Sequence, residues 1–213
     1  LYDPSLEKDS CGVGLVANIK GIPSREIMDD AYHVNSQMDH RGGCGFEENT
    51  GDGAGILVAL PDSFFQSKVK DLKFSLPSKG YYAVGNIFLP QNTEESKICR
   101  ELIEDIIKEE GQNCLGWRKV PIDPEGSNIG PAALDAKPEI YQLFVSSNIK
   151  NDQEKFERSL YVIRKRFTIK LRLNSSLKEA KLFYACSLSS KVIVYKGMLT
   201  PSQLFPFYPD LQD

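Results

Sequence analysis

The chain has 213 residues, a formal net charge of −3 and a pI near 5.6, which fits one large domain or a part of one. That mildly acidic balance argues against nucleic acid as a partner, and no apolar run approaches the ~18 residues of a membrane span, so a soluble protein is expected. Five cysteines without a Cys-x-x-Cys pair read as reduced thiols, and two histidines on one short segment, His33 and His40, argue against a zinc site of the usual spacing.

The opening 1–10 is polar and acidic, without the apolar centre of a signal peptide, and lacks an initiator methionine, which points to an upstream segment. Gly12 to Ile19, rich in Val, Leu and Ala, is predicted to be a buried strand headed by Cys11 and ended by the Gly21-Ile22-Pro23 turn. From Ser24 as N-cap, Ile27, Ala31, Val34 and Met38 fall on one helical face, and the helix delivers His40-Arg41 at its end. The bland account of that pair is a basic terminus complementing the helix dipole. The glycine-dense stretch 42–55 then opens onto an apolar run, Ile56 to Leu60, that reads as a strand. A phosphate-binding loop would open onto a helix, so nucleotide binding is not expected.

Tyr81 to Leu89 is a further predicted strand. Asn92 and Glu95 resemble a capping box for a helix through Ile98, Leu102 and Ile106 that stops at Gly111. Leu115 to Val120 and Ile140 to Val145 are predicted strands. Between them, Asp123 to Pro131 has the composition of a long surface loop, either a lid or a mobile connector. An Asp152-capped helix should bury Phe156, Leu160, Ile163 and Phe167 and turn Lys155, Arg158, Arg164, Lys165 and Arg166 to solvent. Leu182 to Leu188 and Lys191 to Tyr195, joined by Ser189-Ser190, read as a hairpin, and the tail 204–209 is aromatic and broken by proline. The pattern gives mixed α and β with two sheets faced by helices.

Five stretches follow one another in a fixed order: Asp9-Ser10-Cys11-Gly12-Val13-Gly14-Leu15-Val16-Ala17, Asp39-His40-Arg41-Gly42-Gly43, Thr50-Gly51-Asp52-Gly53-Ala54-Gly55-Ile56-Leu57, Asp62-Ser63-Phe64-Phe65 and Tyr195-Lys196-Gly197-Met198-Leu199-Thr200-Pro201. Together they resemble the amino-terminal glutaminase domain of the glutamate synthases, which are class II glutamine amidotransferases. The resemblance implies an α+β fold of the N-terminal-nucleophile hydrolase type, an αββα four-layer sandwich that is incomplete within these residues. It also implies that residues 1–10 are a propeptide removed between Ser10 and Cys11, with 11–213 the first part of the amidotransferase domain.

By the same resemblance Cys11 is the catalytic nucleophile, and its freed α-amino group is the base. A free cysteine has a pKa near ~8.5 and an α-amino group one near ~7.7 to 8.0, so the amine suits proton removal at neutral pH. Arg41 matches the family's clamp for the glutamine α-carboxylate, a task suited to a planar fork of donors. Gly51, Asp52 and Gly53 match the family's glycine loop near the site, with turn formation as the role of Asp52. No cofactor is expected in this segment, and no metal; FMN and an iron–sulfur cluster are implied for the full-length protein, whose synthase domain would use the ammonia to aminate 2-oxoglutarate. Glutamine and that synthase domain are the expected partners, with no nucleic acid and no membrane, in the cytoplasm or a plastid.

The family's oxyanion donors, an Asn-Gly pair, have no counterpart here, since no Asn of this chain precedes Gly. Loss of one such donor costs on the order of 10² to 10³ in rate, so the 213 residues alone are expected to be inactive. Two other readings stay open at this point: a catalytically silent module, and a thiol protease that pairs Cys11 with His40.

Overall fold

The computed structural model describes residues 11–43, 46–149 and 151–213, and for Arg41 the backbone alone. In chain order the elements are α1 (Arg25–Gln37), a 3-10 turn (Asp39–Arg41), β1 (Ala54–Ala59), α2 (Asp62–Lys68), β2 (Tyr82–Leu89), α3 (Thr93–Glu109), β3 (Asn113–Lys119), α4 (Pro131–Asp135), β4 (Glu139–Ser146), α5 (Gln153–Arg172), β5 (Tyr184–Ala185), β6 (Val192–Gly197) and α6 (Leu204–Phe207). They divide into two compact units. One takes the described residues of Leu1–Gly55 with Ile122–Asp135 and Lys196–Gln212, and the other takes Ile56–Pro121 and Ala136–Tyr195.

The second unit is built on an antiparallel sheet in the order β3-β4-β2-β5, and a second, two-stranded sheet joins β1 and β6. One face of the four-stranded sheet lies under α3 and α5. Ala83, Ile87 and Leu89 of β2 and Leu143 and Val145 of β4 meet Cys99, Ile103, Ile106 and Ile107 of α3 and Phe156, Leu160, Ile163, Phe167 and Leu171 of α5 in one apolar core. Burying a side chain of that size contributes about 1.5–3 kcal/mol, which is why these long elements hold together. The α5 stripe is the predicted one. The α3 stripe is turned from the predicted row: Ile98 is 42 % exposed, and Cys99 and Ile103 take the buried positions.

The opposite face of the sheet carries a polar row. Arg118, Gln142 and Asn86 stand side by side on β3, β4 and β2. Arg118 Nη1 donates to Gln142 Oε1 at 2.7 Å, Gln142 Nε2 to Tyr195 Oη at 2.8 Å, and Asn86 Nδ2 to the Val194 carbonyl at 2.8 Å, which ties β6 across this face. Arg118 reaches the row because a bulge between Cys114 and Gly116 reverses the alternation of β3. Trp117 thereby faces the helices, where its Nε1 donates to Glu104 Oε1 at 2.7 Å. A Cβ on Gly116 would stand 2.6 Å from the Phe74 ring, so glycine is required where the bulged strand passes beneath it.

Three helices start where their caps predict. Ser24 Oγ accepts from Ile27 N, Asn92 Oδ1 from Glu94 N and Glu95 N, and Asp152 Oδ1 from Lys155 N. The reciprocal half of the Asn92 box is exchanged, however. Asn92 N donates to Glu179 Oε2, and the Glu95 carboxylate accepts from Lys178 N and Glu179 N, so the box becomes a tie between distant segments. Gly111, at φ 72°, ends α3 as predicted.

Two expectations fail. Residues 11–18 form no strand, and Val13 and Leu15 are each 90 % exposed. A ladder needs a partner, and among the described residues 11–17 have no backbone hydrogen bond. Nor is Ser189-Ser190 a hairpin. β5 belongs to the four-stranded sheet and β6 to the other; the chain bridges back to Val84 at Ser189 and then crosses between sheets. A two-residue hairpin turn calls for positive φ, which neither serine adopts. Instead Glu157 of α5 accepts from Ser190 N and Ser190 Oγ, each at 2.6 Å, and from Ser189 Oγ at 3.0 Å.

Candidate active site

The residues singled out from the sequence all lie in the first unit. Cys11 is exposed at the start of the 11–18 segment. The segment lies against α1 at Gly14, where a Cβ would come within 2.3 Å of Val34 Cγ1 and 2.7 Å of Met38 Cε. Only glycine allows that approach without displacing two side chains of the helix. α1 is in turn fixed to the end of the chain: Tyr32 packs on Phe205 with ring centroids 4.5 Å apart, Asn35 Nδ2 donates to the Pro201 carbonyl, and Arg25 Nη1 donates to the Leu211 carbonyl.

Past Met38 the helix tightens into the 3-10 turn that ends at Arg41, closed by Gly42 N donating to the Asp39 carbonyl at 3.0 Å. The His40-Arg41 pair therefore stands beyond α1, whose last turn holds no basic residue. His40 is exposed, with Nδ1 2.9 Å from the Gln37 carbonyl. The Arg41 side chain lies outside the described residues, as do Cys44 and Gly45.

The glycine loop returns to this turn. Asp52 N donates to the Gly43 carbonyl at 3.0 Å, and a Cβ on Gly43 would fall 2.1 Å from Asp52 Oδ2. Asp52 and the segment that follows the Arg41 turn are thus coupled through backbone. Gly51 is buried, and a Cβ there would lie 2.4 Å from the Leu199 carbonyl and 2.5 Å from Thr200 N, a contact of backbone on backbone that no other residue permits. Gly53 has φ 148°.

Sequence reasoning missed the residues that hold the loop. Glu47 Oε2 accepts from Thr50 Oγ1 at 2.6 Å and from Ala132 N at 3.1 Å, Gly130 N donates to the Asn49 carbonyl at 2.8 Å, and Gln203 reaches both sides of the same joint. The signal for Gln203 was present, since Thr200-Pro-Ser-Gln203 has the spacing of a capping box with proline inside it. The stretch from Asp123 to Pro131 is an irregular loop, as predicted, and is tied down at several points. Asp123 N donates to the Phe207 carbonyl, Ser127 is buried, and Asn128 at φ 50° turns its carbonyl to Gln203.

The thiols differ by environment. Burial, with Glu95 adding to it, pushes Cys99 up to about 11. Burial and then Glu104 push Cys114 up to about 12, against a lowering hydrogen bond from the Gly116 backbone. Cys186 is buried. Among the described cysteines only Cys11 is exposed, whereas Cys99 and Cys186 are buried and Cys114 is half-buried, and thiols reached less easily by solvent react more slowly. An open cavity of about 400 Å³ in the second unit, lined by Glu110, Gln112, Ile149, Lys155, Arg158, Ser159 and Val162, holds no thiol. Among the described residues no group of three or more His, Cys, Asp or Glu is arranged to hold a metal ion, and no helix is long and apolar enough to cross a membrane.

The family model described as glutamine amidotransferases class-II matches residues 11–213. The chain is 45 % identical over 215 residues to the glutamate synthase [NADPH] large chain of Bacillus subtilis, covering 100 % of this chain and 14 % of that protein. It is 39 % identical over 221 residues to the glutamate synthase [NADH] of Saccharomyces cerevisiae, covering 99 % and 10 %. To the ferredoxin-dependent glutamate synthase 1, chloroplastic/mitochondrial, of Arabidopsis thaliana it is 38 % identical over 213 residues, covering 100 % and 13 %. The chain thus spans no more than 14 % of the length of these three relatives.

Proposed function

The chain belongs to the class II glutamine amidotransferases, whose fold is an α+β N-terminal-nucleophile hydrolase, and from that premise we propose that it is the glutaminase part of a glutamate synthase. In this reading residues 1–10 are a propeptide, and cleavage between Ser10 and Cys11 frees the α-amino group of Cys11. The family match that begins at residue 11 supports the assignment.

The amine takes the Cys11 thiol proton, and the thiolate attacks the side-chain amide carbon of glutamine, forming a C–S bond and a tetrahedral oxyanion. Collapse breaks the C–N bond, and the leaving nitrogen takes the proton from the ammonium to depart as ammonia. Water, deprotonated by the same amine, then cleaves the thioester to glutamate and restores the thiol. Arg41 holds the α-carboxylate through two parallel N–H donors. The Gly51-Asp52-Gly53 loop shapes the substrate's seat. Oxyanion donors are not assigned to this chain, because none of its Asn residues is followed by Gly.

The ammonia would aminate 2-oxoglutarate in a synthase domain of the same polypeptide. FMN and an iron–sulfur cluster would supply its redox chemistry, held by residues other than these. A compartment with reduced thiols, cytoplasm or plastid, fits the cysteine usage.

The observation that carries the reading is the exposed Cys11, which stands at the first residue of the family match. The test is ammonia release from glutamine by the full-length polypeptide beginning at Cys11. Turnover is expected there and is expected to vanish both in Cys11→Ala and in a form that retains residues 1–10. Undiminished turnover by Cys11→Ala would overturn the assignment.

A further inference from the structure

Gln203 is 7 % exposed and uses both amide N–H groups and its carbonyl oxygen on backbone. Its Nε2 donates to the Asn49 carbonyl at 2.9 Å and to the Asn128 carbonyl at 3.0 Å, while its Oε1 accepts from Thr200 N at 2.8 Å. Two donors and one acceptor on a single rigid amide thereby fasten three loops that are remote in sequence. Asn128 occupies the left-handed region, at φ 50°, to present its carbonyl. On the far side of the joint Gly51 is pressed against the Leu199 carbonyl, and Asp52 N reaches the Gly43 carbonyl. The backbone that follows Asn49 is thus held at both ends, and its position is passed to the segment that carries Arg41.

We propose that Gln203 is a positioning residue for glutamine binding: it sets the seat of the 49–53 loop and, through Asp52 and Gly43, the placement of Arg41. The proposal rests on the glutaminase reading. Other side chains cannot easily replace this amide. Glutamate would turn a carboxylate oxygen on two carbonyl oxygens, and methionine would fill the space without bonding any of the three loops. A misplacement of about 1 Å in a group that positions substrate can cost up to 10²-fold in catalytic efficiency, and here, where the group displaced is the carboxylate clamp, the loss falls on KM.

The test uses the mature full-length protein with Gln203→Glu and, should that variant fail to fold, Gln203→Met. The KM for glutamine is expected to rise roughly tenfold, the equivalent of one lost hydrogen bond, with kcat within about twofold. Amide hydrogen exchange in residues 46–53 is expected to quicken. A merely structural role would lower the active fraction, and so kcat, without moving KM; that outcome overturns the proposal, as does an unchanged KM beside faster exchange. Absence of glutamine turnover in the unaltered protein would instead remove the glutaminase reading, and this proposal with it.

Discussion

In the unit built on β2 and β4, helices and strands bury an apolar core through side chains; in the unit that holds Cys11 and the glycine loop, glycines leave no room for a Cβ where backbone meets backbone, at Gly51, or side chain, at Gly14, Gly43 and Gly130. α1 has no fully buried residue, whereas α3 and α5 each have five. A core held by area tolerates small displacements of any one group. A loop held by a few aimed hydrogen bonds defines positions sharply but has little apolar area behind it, which is the division of labour expected between scaffold and binding loops.

The sharpest way to probe that contrast is to open the scaffold. Phe167→Ala empties a position that is 0 % exposed and packs edge-on against Phe183, and about 3–5 kcal/mol of unfolding free energy should be lost in denaturant titration. The KM for glutamine of the molecules that remain folded should not change; a shifted KM would break the distinction between the units. In the other direction, Arg41→Lys removes the fork while keeping the charge. It should raise KM about tenfold or more, equivalent to ~1.4 kcal/mol, with the unfolding midpoint unmoved. An unchanged KM would take Arg41 out of the site.

The gentlest probe changes no residue. Iodoacetamide on the folded protein at pH 8, read by peptide mass, should label Cys11 and leave Cys99, Cys114 and Cys186 unmodified until denaturant is added. Labelling of Cys99, which is 0 % exposed, in the native protein would show that the scaffold opens. The same burial makes stability depend on pH. The folded pKa values of Cys99 and Cys114 lie above the free value of 9.0, so the folded state keeps protons that the unfolded state gives up. Their contribution is full below about pH 9 and is lost as pH rises towards about 11 and 12.

What could be read from the sequence was what neighbours along the chain decide. Ser24, Asn92 and Asp152 cap helices with atoms a few residues away, and Phe156 to Phe167 repeat with the helix's own period, so α1, α3 and α5 were legible. The failures needed a distant partner. Gly12 to Ile19 has the composition of a strand, but a ladder is made by two segments. Glu95 was assigned to Asn92 by spacing and is taken by Lys178 and Glu179. Ser189-Ser190 looked like a turn and is a crossing held by Glu157, a residue of another element. Around the candidate site, the order Cys11, Arg41, Asp52 is what the resemblance carries. The bonds of Glu47 to Ala132 N and of Gln203 to the Asn49 and Asn128 carbonyls go to backbone groups that any residue type could have supplied, and only the capping-box spacing of Gln203 could be read.

The bulge in β3 bears on which changes of chain length this strand can absorb. Leu115 is the extra residue, so removing it would leave Trp117 opposite Leu143 and Arg118 opposite Gln142, whereas pairing Leu115 with Phe144 in place of Gly116 would turn Trp117 and Arg118 over together. An indole would then lie in the polar row beside Gln142, and a guanidinium would enter the apolar core beneath α3. Substitution at Leu115 leaves the count intact. Among descendants of this gene, the strand is therefore free to vary in spelling at Leu115 or to lose that residue together with the bulge, but not to keep the residue and lose the bulge.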